Sequence, residues 1–239
     1  MTEAINRALI CVPIVEQSDE SIENEIEKVI EKTKTKTVDI VEFRADYYEN
    51  LSDYEKLSKL LEKIKARLNE YEISLLFTIR SANEGGEKLD FLEPTINEIN
   101  LFVAEYGLAD IVDVELYSDD MISEIIDKAH RADVKIIISN HDFEKTPSYE
   151  ILSKRYEEMD SYGPDFIKIA VMPKSNEDVD TLLECVTATN KKVNSMVVGI
   201  SMGELGKRTR TEGYKFGSVI TFAALNKASA PGQVSVDDL

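Results

Sequence analysis

The 239-residue sequence predicts a single (β/α)8 barrel that covers residues 1–239 as one domain. Eight apolar, strand-like runs alternate with amphipathic helical segments along the whole chain. The chain length suits one such barrel, and no linker rich in proline, glycine or serine divides it. A doubly wound parallel sheet produces the same alternation and is the alternative architecture. The uniform composition along the chain favours the barrel.

The strand predictions rest on short runs in which β-branched and other apolar residues dominate. Helical segments separate these runs, so the strands are expected to be parallel and joined by crossover helices. In chain order the predicted strands cover residues 8–15, 39–46, 74–80, 110–117, 135–143, 166–173, 195–201 and 218–225.

The helix predictions rest on apolar residues at helical spacing and on acidic residues near the first turn, which complement the helix dipole. In chain order these helices cover residues 19–32, 53–69, 94–107, 119–132, 148–163 and 176–192. The seventh helical segment, residues 203–217, is short, basic and rich in glycine. It is therefore the weakest element of the pattern.

Composition excludes several classes of protein. The formal net charge of −18 repels phosphate backbones and anionic membrane surfaces, and no concentrated basic patch offsets it. The chain begins without a basic, then apolar, leader and contains no apolar stretch of membrane-spanning length. Cys11 and Cys185 fit two reduced structural thiols better than a disulfide or a metal site. We therefore expect a cytoplasmic protein with a small partner, and neither nucleic-acid nor membrane binding.

Lys168 is the most informative residue, because it lies in the middle of the apolar run FIKIAVMP, residues 166–173. Burial disfavours the ammonium form and lowers the pKa towards a neutral, nucleophilic amine. Such a lysine can form a Schiff base with a carbonyl substrate. The alternative is a lysine that reaches the strand end or pairs with a buried carboxylate, and this segment alone does not decide between them.

Further charged residues interrupt the ends of other predicted strands, where a barrel carries its chemistry. Glu42 and Arg44 lie two apart and share a face, and Arg80 ends the third strand. Arg44, Arg80 and Lys168 at similar depths indicate a positive pocket for an anionic substrate, and nearby cations would lower the pKa of the lysine further. Alternatively, Glu42 and Arg44 form an ion-pair network that fills the core.

His141 ends the fifth predicted strand and is the candidate for acid/base chemistry. The other histidine, His130, lies in a charged helical segment. Glu84, near the end of a different strand, is a candidate carboxylate to orient His141. With Lys168 and the arginines, these residues suggest carbonyl chemistry through a protonated imine. They leave an aldolase, a dehydratase and a decarboxylase open, and a hydrogen-bonded structural histidine remains the alternative for His141.

Seven segments together resemble the type I 3-dehydroquinate dehydratase family. They are VEFRAD (41–46), FTIRSANEGG (77–86), SNHDFEKTPS (139–148), IKIAVMP (167–173), GISMGELGKRTR (199–210), FGSVITFA (216–223) and ASAPGQVSVDDL (228–239). The resemblance implies a (β/α)8 barrel, a homodimer and no metal or organic cofactor. It also implies the dehydration of 3-dehydroquinate to 3-dehydroshikimate in the shikimate pathway.

The same resemblance assigns roles to individual residues. Lys168 matches the imine-forming lysine, His141 the general acid/base, and Glu84 the carboxylate that orients this histidine. Arg210 matches the clamp for the substrate carboxylate, to which a forked guanidinium is suited. The family's substrate contacts fall on Glu42, Arg44, Arg80, Met202, Arg210, Phe222, Ser229 and Gln233.

Two departures from the family pattern stand out. Asn140 precedes His141 where an aromatic residue or a second histidine is common, which predicts altered local hydrogen bonds. The sequence also stops soon after VSVDDL, where relatives usually continue through a closing helix. We therefore expect either a rudimentary final helix or a shortened chain.

Two other functions remain open at this stage. An aldolase acting on a sugar phosphate would use the same lysine chemistry, but would need a glycine-rich phosphate site near the seventh and eighth strands. The segment SMGELG, residues 201–206, is only faintly of that type. A binding or scaffold protein that keeps the barrel without catalysis is the other alternative. The presence of Glu84, His141 and Lys168 together weighs against it.

Overall fold

The computed structural model describes residues 7–89, 93–116, 121–226 and 230–239, and these ranges contain a nine-stranded parallel sheet. Its strands follow each other in the order β7-β6-β5-β4-β3-β2-β1-β8-β9. The strands are β1 Leu9–Ile14, β2 Ile40–Arg44, β3 Ser74–Thr78, β4 Ile111–Glu115, β5 Lys135–Asp142, β6 Phe166–Val171, β7 Met196–Ser201, β8 Ile220–Ala224 and β9 Val234–Ser235.

Seven α-helices connect these strands, and local sequence signals explain where several of them begin. Ser18 and Ser21 form a capping box at the start of the first helix. Asp53 caps the second helix through the backbone of Lys56, and Ser175 caps the sixth. The helices are α1 Asp19–Lys32, α2 Tyr54–Asn69, α3 Glu93–Glu105, α4 Ile122–Arg131, α5 Tyr149–Ser161, α6 Asn176–Thr189 and α7 Lys207–Glu212.

Two apolar clusters lie on the two faces of the sheet. The larger one packs the outer face of the strands against the helices, and includes Ile22 of α1 and Leu57 of α2. The smaller one takes residues from each of β1 to β8, including Cys11, Ile137 and Ile220. A flat sheet cannot bring side chains of eight strands into one small cluster, so the sheet curls around this second core.

The two ends of this curl approach each other between β7 and β8. The Val219 N–H donates to the Val197 carbonyl oxygen at 2.9 Å, and the Gly199 N–H donates to Ser218 Oγ at 3.1 Å. Within the described ranges, no paired register joins β7 to β8 beyond these bonds. The observed architecture is therefore a curled, nine-stranded parallel α/β sheet.

The end of the chain departs from the regular alternation of strands and helices. After β8, residues 230–239 contain the short strand β9 and a 3-10 turn at Val236–Asp238, with no α-helix among them. The weak seventh segment forms a helix of only six residues, α7, followed by a second 3-10 turn at Gly213–Phe216. The predicted strand end at residue 117 and helix start at 119–120 lie outside the described residues. No helix in the described part of the chain is long and apolar enough to cross a membrane.

Candidate active site

A pocket at the carboxyl ends of the strands brings together ten of the eleven predicted site residues. The eleventh, Ser229, lies outside the described residues. Further lining residues that were not predicted include Gly85, Phe143 and Ile200. The predicted residues in the lining are Glu42, Arg44, Arg80, Glu84, His141, Lys168, Met202, Arg210, Phe222 and Gln233.

Lys168 is buried in β6, with 4% of its surface exposed. Its Nζ lies 4.3 Å from the centroid of the Phe222 ring and 3.8 Å from Asp113 Oδ2. Burial lowers the pKa of Lys168, and Arg80 lowers it further, whereas Asp113 and Glu42 oppose the shift. The balance favours the neutral amine more than at an ordinary lysine.

Asp113 in β4 is an acidic partner of Lys168 that the sequence analysis missed. Its Oδ1 accepts hydrogen bonds from Arg80 Nη2 at 2.9 Å and from Ser139 Oγ at 2.6 Å. Its buried Oδ2 has no hydrogen-bond partner among the described residues and lies 3.8 Å from the Lys168 Nζ. The signal was available in the sequence, because Asp113 interrupts an apolar strand in the same way as Lys168 does.

Two of the predicted cations are hydrogen-bonded to carboxylates of the chain. Arg80 contacts Asp113, and also Glu115 Oε1 at 2.9 Å. Burial lowers the pKa of Arg80, but these carboxylates more than offset that, so the pKa is raised. Arg44 forms a bidentate pair with Asp46, with both N–O distances at 2.8 Å. The positive charge of both arginines is therefore balanced locally.

Glu42 and Arg44 do not form the ion pair that the structural alternative required. Among the ion pairs of the described residues, none joins the two side chains. Glu42 Oε1 instead accepts a hydrogen bond from Thr78 Oγ1 at 3.0 Å. Both residues line the pocket, so Glu42 is a buried acceptor at the base of the site.

Arg210 differs from these two arginines. Its Nη1 donates to the Phe222 carbonyl oxygen at 3.1 Å and its Nη2 to the Pro231 carbonyl oxygen at 3.5 Å, while its buried Nε has no hydrogen-bond partner among the described residues. No ion pair joins Arg210 to a carboxylate within the ranges that the structure describes. Burial lowers the pKa of Arg210 to about 10, which leaves it protonated at neutral pH. Arg210 is thus a buried cation that lines the pocket without a carboxylate partner among the described residues.

The loop that carries Gln233 packs on the turn after β7. The Gly203 N–H donates to the Pro231 carbonyl oxygen at 3.0 Å. Gly232 has a φ of +68°, and a Cβ at this position would lie 2.2 Å from the Gly203 carbonyl oxygen. Glycine permits this close approach, which brings Gln233 and Met202 to the same wall of the pocket.

A hydrogen bond joins His141 and Glu84, which also line the pocket. The His141 Nδ1 lies 2.9 Å from Glu84 Oε2, and the His141 backbone N–H donates to the same oxygen at 2.9 Å. Burial lowers the pKa of His141 well below its usual value, and Arg80, Lys168 and Arg44 add to the shift. The imidazole is therefore neutral near pH 7. An ionised Glu84 can only accept, so the proton belongs on Nδ1 and Nε2 is free to take another.

The pKa of Glu84 itself is shifted to near neutral pH. Burial raises the pKa of Glu84 to about 7, the Arg80 cation opposes this, and the Glu115 carboxylate adds to it. The neighbouring Gly85 has a φ of +85°, and a Cβ there would lie 2.4 Å from the Phe143 ring. Glycine therefore allows the loop that carries Glu84 to pack on the Phe143 ring.

Comparison with known proteins matches this chain to one family. The family model described as type I 3-dehydroquinase matches residues 10–239. A 3-dehydroquinate dehydratase of Clostridium botulinum is 44% identical over 232 residues, which are 96% of this chain and 89% of the relative. The crystal structure of 3-dehydroquinate dehydratase from Geobacillus kaustophilus HTA426 matches with a TM-score of 0.92 and 34% identity, over 98% of this chain and 88% of that one.

A second solved structure carries a ligand. The type I 3-dehydroquinate dehydratase of Clostridium difficile, with covalently modified comenic acid, has a TM-score of 0.89 and 38% identity. The match covers 98% of this chain and 90% of that one.

Proposed function

The chain belongs to the type I 3-dehydroquinase family, and from this premise we propose that it dehydrates 3-dehydroquinate through an imine on Lys168. The observation that carries the proposal is the convergence of three chemical elements in one pocket. These are the buried amine of Lys168, the His141–Glu84 pair, and the Arg210 cation, which pairs with no carboxylate of the described residues. Together they supply a nucleophile, a proton carrier and an anion site.

The reaction begins with attack of the neutral Lys168 amine on the ketone at carbon 3 of the substrate. The resulting carbinolamine takes up one proton from solvent and loses its hydroxyl group as water, and a protonated imine remains. The lowered pKa of Lys168 supports this step, because it increases the share of neutral amine near pH 7. Asp113, 3.8 Å from Nζ, stands where it can balance the charge of the iminium nitrogen.

Proton transfer then falls to His141. Its free Nε2 removes a proton from carbon 2, and the electron pair moves to the imine nitrogen to give an enamine. Return of that pair expels the hydroxyl at carbon 1, which leaves as water with the proton from His141. Hydrolysis of the resulting imine releases 3-dehydroshikimate and the free Lys168 amine.

Substrate binding is assigned to the remaining lining residues and to Ser229, which lies outside the described residues. We assign the ring carboxylate to Arg210, because this guanidinium lines the pocket and forms no ion pair with a carboxylate of the described residues. Arg80 stays a proposed contact, but its bonds to Asp113 and Glu115 give it a second role in setting the charge balance of the site. The remaining proposed contacts are Glu42, Arg44, Met202, Phe222, Ser229 and Gln233.

Several broader properties accompany this proposal. We infer that the curled sheet closes into a (β/α)8 barrel, which the two hydrogen bonds between β7 and the segment before β8 support. We further infer that the chain is one catalytic domain, forms a homodimer and is located in the cytoplasm. We also infer that it acts in the shikimate pathway and needs neither a metal nor an organic cofactor. Each rests on the family and on the sequence.

The alternative of a sugar-phosphate aldolase finds less support at the segment after β7. The backbone N–H groups of Gly203, Gly206 and Lys207 already donate to carbonyl oxygens of the chain. A phosphate site built from backbone amides needs such groups to be free. The segment therefore packs against the loop at 230–233 and is poorly suited to bind a phosphate.

An absorbance assay for the conjugated enone product tests the proposed function. The protein is expected to convert 3-dehydroquinate, and Lys168→Met, which keeps the length of the side chain but removes the amine, is expected to abolish turnover. Equal turnover by the parent and by Lys168→Met would refute the imine mechanism.

A further inference from the structure

Asn140 connects the catalytic pair to a helix outside the pocket. It lies directly before His141 in β5 and is 6% exposed. Its Nδ2 donates to Glu84 Oε1 at 2.9 Å, and its Oδ1 accepts from Arg155 Nη1 at 2.9 Å. Arg155 belongs to α5, so a chain of hydrogen bonds runs from this helix through β5 to Glu84.

The partners leave one orientation for the Asn140 amide. Arginine has donors only, so the amide oxygen must face Arg155. An ionised carboxylate has acceptors only, so the amide nitrogen must face Glu84. A guanidinium on α5 therefore fixes which end of Asn140 meets the catalytic carboxylate.

The two oxygen atoms of Glu84 have different donors. Oε2 accepts from the backbone N–H and the Nδ1 of His141, whereas Oε1 accepts from Asn140. The terminal torsion of a glutamate is broad, so contacts at a single oxygen would leave the carboxylate plane free to turn. The bond from Asn140 to the second oxygen restrains this plane relative to the imidazole.

We propose that Asn140 and Arg155 form a positioning pair that holds the Glu84 carboxylate in line with His141, an inference that rests on the proposed function. Neither residue lines the pocket, so neither is expected to touch the substrate. The pair acts through Glu84 alone. Its loss should reduce the rate of proton transfer while leaving imine formation and substrate affinity in place.

The same hydrogen bond bears on the charge of Glu84. The charged groups around this carboxylate are Arg80, Glu115, Asp113 and, when protonated, His141. Burial, Glu115 and Asp113 raise the pKa of Glu84, whereas Arg80 and the Asn140 amide lower it. Removal of the amide should therefore raise the pKa of Glu84, and the acidic limb of the rate profile should move to higher pH.

Asn140→Leu tests the pair, because leucine has a similar size and no amide. We expect kcat to fall about tenfold, the loss typical of one hydrogen bond to a charged group. KM should stay within about twofold, and the acidic limb of kcat should shift to higher pH. The matched control is Asn97→Leu, which replaces a buried side-chain amide of α3 that has no hydrogen-bond partner among the described residues and does not line the pocket.

Arg155→Met tests the same pair at its other residue, which is half-buried. It should lower kcat by a smaller factor, and it should add no further loss in the Asn140→Leu background, because both changes act on one carboxylate. If Asn140→Leu does not fold, Arg155→Met alone decides. Borohydride labelling of Lys168 with substrate should remain in every variant.

The outcomes separate this inference from the proposed function. A parent enzyme without turnover of 3-dehydroquinate would refute the proposed function. An active parent whose kcat and acidic limb are unchanged in Asn140→Leu, or in Arg155→Met, would overturn the positioning pair alone. A rise in KM with unchanged kcat would also overturn it, because that pattern indicates substrate binding.

Discussion

The Nζ of Lys168 lies 3.8 Å from Oδ2 of Asp113, a buried oxygen that has no hydrogen-bond partner in the part of the chain that the structure describes. Strand β4 supplies the carboxylate and β6 the amine. Burial lowers the pKa of the lysine, and Asp113 is the largest of the influences that limit this shift. The contact between Lys168 and Asp113 therefore influences the fraction of Lys168 that is neutral at a given pH.

Asp113→Asn should therefore lower the pKa of Lys168 further. We expect the pH midpoint for borohydride inactivation in the presence of substrate to move to lower pH, because the ammonium loses its nearest carboxylate. Asp110→Asn, at the amino end of the same strand, is the matched control and should leave the midpoint unchanged. A midpoint that moves to higher pH in Asp113→Asn would mean that Asp113 does not stabilise the ammonium.

His141→Ala should separate imine formation from elimination. Trapping at Lys168 should persist, while kcat falls by roughly 10²–10⁴, the contribution of a general base. His130→Ala, on the exposed surface of α4, is the control and should keep full activity; the His130 side chain is 44% exposed. Near-normal turnover by His141→Ala would rule out its proposed role.

Arg210 should contribute mainly to substrate binding. Arg210→Lys keeps the charge but loses the planar fork, and Arg210→Ala loses both, so both should raise KM, with alanine the worse of the two. Arg208→Ala removes a neighbouring arginine of α7 whose side chain is 47% exposed, and should leave KM unchanged. If Arg210→Ala bound 3-dehydroquinate as well as the parent by calorimetry, the carboxylate would have to bind elsewhere.

Glu84→Gln should lower enzymatic activity and, at high pH, raise the free energy of unfolding. The folded protein raises the pKa of Glu84 to about 7 from an ordinary value of 4.5, so the native state binds the proton more tightly than the unfolded state does. This group therefore stabilises the fold most below pH 4.5, and its contribution is lost as the pH rises through 7. The free energy of unfolding of Glu84→Gln minus that of the parent should therefore be higher at pH 8 than at pH 5, by roughly 2–3 kcal/mol. Denaturant titrations at the two pH values measure this, and a constant difference would contradict the raised pKa.

The regular part of the fold was accessible from the sequence because its periodicity is strong. All eight predicted strands and all seven helical segments are present in the described residues. Strand β9 was not predicted, because a two-residue strand has no periodicity and exists only through its pairing with β8. For the end of the chain we expected either a rudimentary final helix or a shortened chain, and residues 230–239 contain a 3-10 turn at Val236–Asp238 and no α-helix.

The site was accessible in part. The charged residues that interrupt apolar strands pointed to Lys168, Arg44 and Arg80, and the family resemblance added Arg210. The sequence could not indicate which of these cations are balanced, because that depends on the register between strands and on the turn after β2. The pairing of Thr78 with Asp113 brings Asp113 beside Arg80, and the 3-10 turn at Ala45–Tyr47 folds Asp46 back onto Arg44.

The most direct test of the imine mechanism is borohydride reduction in the presence of 3-dehydroquinate, followed by mass spectrometry of the digested protein. The account predicts irreversible inactivation and a single adduct on the peptide that contains Lys168, with no adduct in Lys168→Met. Borohydride reduces the imine to a stable secondary amine, so the label marks the residue that formed it. An adduct on another lysine, or full activity after treatment with substrate and borohydride, would contradict the assignment of Lys168.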